Sequence, residues 1–385
     1  MHAALDAVGR GMPCAVSARF DGLTPDALEQ HLLATAARFP ILRSRLAWSG
    51  DRPILQPGTG SPIARAAPLD FSATDALLSW QAAIRASQGG SVLTAVFSHT
   101  MADGGSMLRL IAEIERRLTG TEPPVQTHLP ARPPRPPAIP WLAGFLAERA
   151  RAHLVLAPDA VAPVGASWFR VGPGDRDRVI ALARSTCGRV LPFLSAATAL
   201  AAGEMSTGRR RRISLYIPLA RSHCEAFHGF GFGVGSLLLG QDLAPSMDME
   251  TLARQLAPRL SRQAAQGWDA GLEWFLGSAP RRHRKFAELR LRARPDPAIN
   301  VSWKGFYRGL GGPHGALDLA CFGAAPTGHV SAHADLGGLS ISFTAPRSRP
   351  LRESFLERIA RRLGIEGALA FKTYDDPNCS AARSA

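Results

Sequence analysis

The sequence predicts a mixed α/β (α+β) fold in two lobes of similar size. Three observations predict it. Segments with apolar residues at every second position alternate with segments where they recur every three to four. The two kinds of segment are interspersed in both halves of the chain, as in mixed folds, and not segregated. A proline-rich stretch, "TGTEPPVQTHLPARPPRPPAIP" from Thr119 to Pro140, divides the 385 residues. Proline removes backbone donors and fixes φ, so this stretch cannot be a sheet interior and reads as a connector. The expected organisation is a first lobe over residues 1–120, a connector over 121–140, and a second lobe over 141–385.

In the first lobe, "CAVSARFD" sets Val16, Ala18 and Phe20 on one face and is a strand. "LTPDALEQHLLATAARFP" begins with Thr24 as N-cap and Pro25 at the first helical position, both favoured at a helix start. Leu28, Leu32 and Ala36 form its apolar stripe, and Pro40 ends it. "SRLAW" is a short strand. "SATDALLSWQAAIRAS" is expected to be a helix, with Leu77, Trp80 and Ile84 on one side. "VLTAVFS" is a buried strand. Met107, Ile111, Ile114 and Leu118 give the following helix its stripe, and Gly120 stops it.

After the connector, "IPWLAGFLAERARAHLVL" sets Trp141, Phe145 and Leu146 against Arg149 and Arg151. It reads as a helix packed on its own lobe, or as one lying on a membrane surface. "ASWFRV", "RISLYIPL", "VGSLLLG", "INVSW" and "LDLACF" are strands. "GDRDRVIALARS", "PFLSAATALAAGEMS" and "DMETLARQLAPRLSRQAA" are helices. "HVSAHADLGGLSISFTA" is a hairpin turning at Gly337-Gly338, and "PLRESFLERIARRLG" is a closing helix stopped by Gly364.

Composition narrows the function classes. No apolar run approaches the ~20 residues that a spanning helix needs. "MHAALDAVGRGMPCAVSARF" lacks the order of a secretory signal, so a cytoplasmic protein is expected. The five cysteines are scattered and form no C-x-x-C pair, which points to reduced thiols and not to disulfides or zinc. The net charge of +14 is almost all arginine, which favours anionic partners such as a phosphorylated cofactor or an acidic carrier protein. The basic runs Arg209–Arg212 and Arg281–Arg294 carry few aromatics and no nucleic-acid motif, so nucleic acid is not expected as a partner. His223, His228, His314, His329 and His333 match no compact metal spacing, and no metal is expected.

"SVLTAVFSHTMADGGSMLRL" passes from a strand to a helix through His99, Asp103 and Gly104. An imidazole titrates near neutrality, so His99 could take a proton from a hydroxyl or amine and return it, with no serine or cysteine nucleophile. An aspartate at a loop-to-helix junction caps backbone N–H groups or pairs with an arginine. Gly104 and Gly105 permit a tight turn beside the donors of a helix start. The same residues are also those of a plain helix cap with an incidental histidine.

H-x-x-x-D-G between a strand and a helix resembles the signature of condensation domains and thioester-dependent acyltransferases. That superfamily includes nonribosomal-peptide condensation domains, plant-type hydroxycinnamoyl and acetyl transferases, mycobacterial polyketide-associated acyltransferases and wax ester synthases. "ARFDGLTPDALEQHLLATAARFPILRSRL", "SLYIPLARSH", "AINVSWKG" and the closing strand and helix resemble the family in the same order. Ser98 stands where many members have a first histidine, and "HGFGFGVGS" is only faintly similar to the D-F-G-W-G of the plant-type enzymes.

The resemblance implies two chloramphenicol-acetyltransferase-like lobes, each a mixed sheet flanked by helices, with a tunnel between them. It implies His99 as general base and Asp103 held by Arg221 to keep the loop in shape. Backbone N–H near Gly104 would meet the oxyanion. Ser98, Asn300 and His228 would line the tunnel. No cofactor would be bound permanently. An acyl-CoA or phosphopantetheinyl thioester on an acidic carrier protein would be the donor, and a small-molecule or lipid alcohol or amine the acceptor. The implied function is acyl transfer in lipid or natural-product biosynthesis. The alternative is a catalytically degenerate module that docks an acidic carrier protein.

Overall fold

A computed structural model describes residues 13–49, 52–63, 80–98, 102–121, 138–152, 164–206, 212–220, 234–268, 298–307, 310–311, 316–323 and 328–375. Thirteen strands and seven α-helices lie among them. In the first half these are β1 (Pro13–Asp21), α1 (Pro25–Ala37), β2 (Ser44–Ser49), β3 (Arg52–Pro57), β4 (Trp80–Ser87), β5 (Gly90–Ser98) and α2 (Gly104–Leu118). After the connector come α3 (Ala138–Arg151), β6 (Val164–Val171), α4 (Pro173–Cys187), α5 (Val190–Met205), β7 (Arg212–Ala220), β8 (Val234–Asp242) and α6 (Met249–Ala265). The chain closes with β9 (Ile299–Tyr307), β10 (Leu317–Gly323), β11 (His329–Asp335), β12 (Gly338–Pro346), α7 (Arg349–Arg362) and β13 (Lys372–Asp375).

The strands form a four-stranded sheet ordered β10-β1-β5-β4, a seven-stranded sheet ordered β13-β6-β12-β11-β9-β7-β8, and the β2-β3 hairpin. The class is the mixed α/β one expected. In the larger sheet β9 pairs in parallel with both β11 and β7. The division at the connector is not a clean cut. β10 lies far beyond residue 140, yet it pairs with β1 and completes the first lobe's sheet. Its Leu319 and Cys321 sit in the same core as Val16 and Phe20.

Each sheet has a helix-covered apolar face. On the smaller one, Val16, Ala18, Phe20, Leu93, Ala95 and Phe97 pack against Leu28 and Leu32 of α1 and Met107, Ile111 and Ile114 of α2. On the larger one, Leu215, Val301, Val330, Ile341 and Phe343 pack against α4, α5, α6 and α7. Burial of each such large side chain contributes roughly 1.5–3 kcal/mol. Thr24 caps α1 as the sequence predicts, accepting from the Ala27 N–H at 3.3 Å.

Trp80–Ser87, expected to be helical, is strand β4. It pairs antiparallel with β5, Ala82 opposite Ala95 and Ile84 opposite Leu93. Trp80, Ala82 and Ile84 also fit a period of two, and the adjacent β5 decides between the periods. Gly89, at φ +77°, supplies the left-handed turn between them, a conformation glycine adopts without a Cβ penalty. Trp80 stacks on Phe97 at 5.5 Å and donates its indole N–H to the Leu42 carbonyl at 2.7 Å. Leu77 lies outside the described residues.

The helix α3 packs on its own lobe. Trp141 is buried, and a Cβ at Gly144 would lie 3.0 Å from the Trp268 ring. Glu148 accepts hydrogen bonds from Arg212 at 2.6 Å and Ser214 at 3.1 Å. No single helix among the described residues is long and apolar enough to cross a membrane.

Candidate active site

The second faces of the two sheets meet. Ala15, Val96 and Ala320 of the smaller sheet pack on Ala166 and Trp168 of β6. Beside this contact the larger sheet's face is polar but buried. On β11 it carries His329, Ser331, His333 and Asp335, and on β12 Ser340, Ser342 and Thr344, all with little exposure. The alternation follows from the pleat, since Val330, Ala332 and Ala334 take the opposite, apolar face. Ser340 and Ser342 donate to the Leu319 and Cys321 carbonyls of β10, at 2.6 and 2.8 Å, and so join the sheets through hydrogen bonds.

The registers place Asn300 beside His329 and Ser302 beside Ser331 on this polar face. The pairing shifts between Ala332 and Ala334, where Lys304 and Gly305 of β9 together oppose His333. Such a β-bulge re-aims the side chain at the extra residue. Gly305, at φ +104°, takes a backbone conformation closed to most residues. The next polar-face residue, Tyr307, packs into the first lobe's core.

The bulge faces the start of α2. Asp103 is the N-cap, its Oδ1 accepting from the Ser106 N–H at 2.8 Å. A Cβ on Gly104 would lie 2.1 Å from Lys304 Nζ, and one on Gly105 would lie 3.6 Å from the Tyr307 hydroxyl. Glycine at position 104 therefore lets the lysine lie against the helix backbone. Ser98 ends β5 half-buried, and parity puts it on the Val96 side of the sheet, toward β6. The Ala102 N–H donates to the Ser98 carbonyl at 3.4 Å, and the Cys14 thiol donates to the Ala102 carbonyl at 3.2 Å. These bonds fix both flanks of the motif loop.

His99 lies outside the described residues, as do Arg221 and His228. The structure thus brings Asp103, Gly104 and the Asn300 strand to one junction, with Ser98 on the side of its sheet that faces the other lobe. Sequence reasoning missed Lys304, Tyr307 and His333 as neighbours of the motif. The alternation of His and Ser in "HVSAHADLGGLSISFTA" was the available signal.

The electrostatics follow from burial. Burial pushes the Tyr307 hydroxyl well above its ordinary range, with the Asp103 carboxylate adding to the shift. Burial also raises the Cys321 thiol to about 11, against the pull of Lys304. His333 is 1% exposed. Burial, with Arg170 and Lys304 nearby, lowers its pKa to about 3, so the ring is neutral. Its Nε2 has no hydrogen-bond partner, the nearest carboxylate oxygen of Asp335 being 3.8 Å away. Asp335 is taken by Arg170, whose Nη1 donates to Oδ2 at 2.9 Å while Nη2 pairs with Oδ1. Among the described residues no three His, Cys, Asp or Glu side chains converge as a metal site.

No known family model matches the sequence, and no curated protein matches it. Solved structures do match over nearly the whole chain. Polyketide synthase associated protein 5 from Mycobacterium tuberculosis superposes with a TM-score of 0.65 at 16% identity, over 94% of this chain and 96% of that one. The first condensation domain of the calcium-dependent antibiotic synthetase, in complex with a substrate analogue, gives 0.59 at 17% identity, covering 95% and 96%. The condensation domain of the monacolin K polyketide synthase MokA gives 0.59 at 12%, covering 92% and 91%.

The fold is that of the condensation domains. The two helix-backed sheets of this chain are the two lobes of that chloramphenicol-acetyltransferase-like architecture. The start of α2 therefore stands at the junction between condensation-fold lobes.

Proposed function

We propose that the chain is an acyltransferase that moves an acyl group from a CoA or carrier-protein thioester to an alcohol or amine. The observation that carries this reading is the position of the H-x-x-x-D-G motif. Its Asp103–Gly105 segment lies where α2 meets the polar face of the other lobe. In this reading His99 takes the proton of the acceptor O–H or N–H as that atom attacks the thioester carbonyl. The tetrahedral oxyanion collapses, the C–S bond breaks, and the imidazolium returns its proton to the departing thiolate. Asp103 keeps the helix start in place, and the adjoining amides favour the developing negative charge. Arg221 would hold Asp103, and Ser98, Asn300 and His228 would line the substrate path.

The test is thiol release from an acyl-CoA series in the presence of alcohols and amines. His99→Ala is expected to cut turnover by about 10²–10⁴-fold while the far-UV circular dichroism stays that of the wild type. Wild-type turnover in His99→Ala would overturn the general-base role. Thioester binding by the wild type without thiol release would favour the docking module.

A further inference from the structure

The polar face holds a cation and an imidazole that no described group satisfies. Lys304 is one of three lysines in a chain whose other cationic residues are arginines. It is half-buried between the lobes and makes no hydrogen bond or ion pair among the described residues. No described carboxylate pairs with it: Asp103 caps α2 and Asp335 is paired with Arg170. An ammonium with no direct ion pair gains a charge-assisted hydrogen bond from an anionic ligand.

Three further features converge on the same point. The β9 bulge, with Gly305 at φ +104°, turns Lys304 toward the first lobe. Gly104 has no Cβ, so the ammonium lies against the first turn of the fifteen-residue helix α2, whose first N–H groups carry partial positive charge. Beside Lys304 on the neighbouring strand is His333, buried to 1% exposure with Nε2 unpartnered. A cation, a helix start and an unused imidazole nitrogen together make a receptor for an anion with two oxygens.

We propose that Lys304 and His333, beside the start of α2, bind a carboxylate of one substrate. One oxygen takes the ammonium, and the other accepts from the imidazole N–H. The identification of the ligand as a substrate rests on the acyl-transfer reading; the site itself does not. It narrows the substrate class to acids, such as a hydroxy or amino acid acceptor or an acyl group with a free carboxyl.

The experiment measures binding of hexanoate and of methyl hexanoate, by titration calorimetry, to the wild type, Lys304→Met and Lys304→Arg. Hexanoate is expected to bind the wild type about 10- to 100-fold more tightly than the ester, the usual scale of a charge-assisted hydrogen bond. Lys304→Met is expected to abolish that preference, and Lys304→Arg to restore part of it. Equal binding of acid and ester by the wild type, or an undiminished preference in Lys304→Met with native circular dichroism, would overturn the site. Should Lys304→Met fail to fold, Gly104→Ala carries the test. Its Cβ would displace the ammonium, and an unchanged preference for the acid would again overturn the site. Lys304-dependent carboxylate binding without thiol release from any acyl-CoA or acyl-carrier-protein thioester would support the site and overturn the transfer reading alone.

Discussion

Glu115 offers the most quantitative test of how the lobes are joined. It lies on α2, 6% exposed, and its carboxylate accepts the N–H of Gly311 at 3.4 Å and of Ala316 at 2.5 Å. Those two residues flank the return of the chain from β9 to β10. Burial raises its pKa from 4.5 to about 7, against the pull of the two N–H groups, and the Asp335 charge adds to the rise. Below pH 4.5 the carboxyl is protonated in folded and unfolded chains alike. Between 4.5 and about 7 the folded chain keeps a proton that the unfolded chain has released, so stability falls as pH rises. Above about 7 the whole penalty, about 3 kcal/mol, is present. Glu115→Gln removes this dependence while its amide oxygen can still accept from the Ala316 N–H. Its unpaired amide N–H group costs about 1 kcal/mol, at any pH. Urea unfolding of both proteins at pH 5 and pH 8 checks the reasoning. The variant should gain about 2–3 kcal/mol on the wild type between the two pH values. A difference that does not change with pH would refute the burial of an ionisable carboxyl at this joint.

Two further variants probe the site's framework. Asp103→Ala removes the acceptor of the Ser106 N–H, and thermal unfolding should show a loss of roughly 0.5–2 kcal/mol, the usual worth of an N-cap. Arg170→Met leaves Asp335, at 0% exposure, without its bidentate partner. It should lose about 3–5 kcal/mol in chemical denaturation, and Arg170→Met with Asp335→Asn should recover part of the loss.

The elements that local chemistry determines were legible in the sequence. Thr24 and Pro25 announced α1, and Asp103 announced the start of α2. Strict alternation in "CAVSARFD" and "HVSAHAD" announced β1 and β11. The failures share one cause, which is that the deciding partner lies outside the segment itself. Trp80, Ala82 and Ile84 satisfy two periods, and only the neighbouring β5 selects the strand. "LDLACF" reads as a strand, but nothing within it says that it leaves its own lobe to pair with β1. The four-residue strand β13 carries too few residues to show a period. Within the site, the cap function of Asp103 could be read from its position, whereas Lys304 needed the bulge. A one-residue register shift between β9 and β11 is invisible in either strand alone.

The polar face explains why the site lies at the junction. A sheet whose second face met its neighbour through aliphatic side chains would be more stable, because buried hydroxyls and imidazoles lose water and regain only part of its hydrogen bonding. This chain has such an aliphatic contact at Ala15, Val96, Ala320 and Trp168, and confines it to one patch. Beyond that patch Ser340 and Ser342 satisfy themselves on the carbonyls of β10. His333 Nε2 and the hydroxyls of Ser331 and Thr344 remain buried without partners. A fold that needed only adhesion between its lobes would have little reason to keep those groups, since apolar residues of similar volume would serve it better. Their clustering on β11 and β12, next to the bulge that presents Lys304 to α2, is what a site completed by a polar ligand requires.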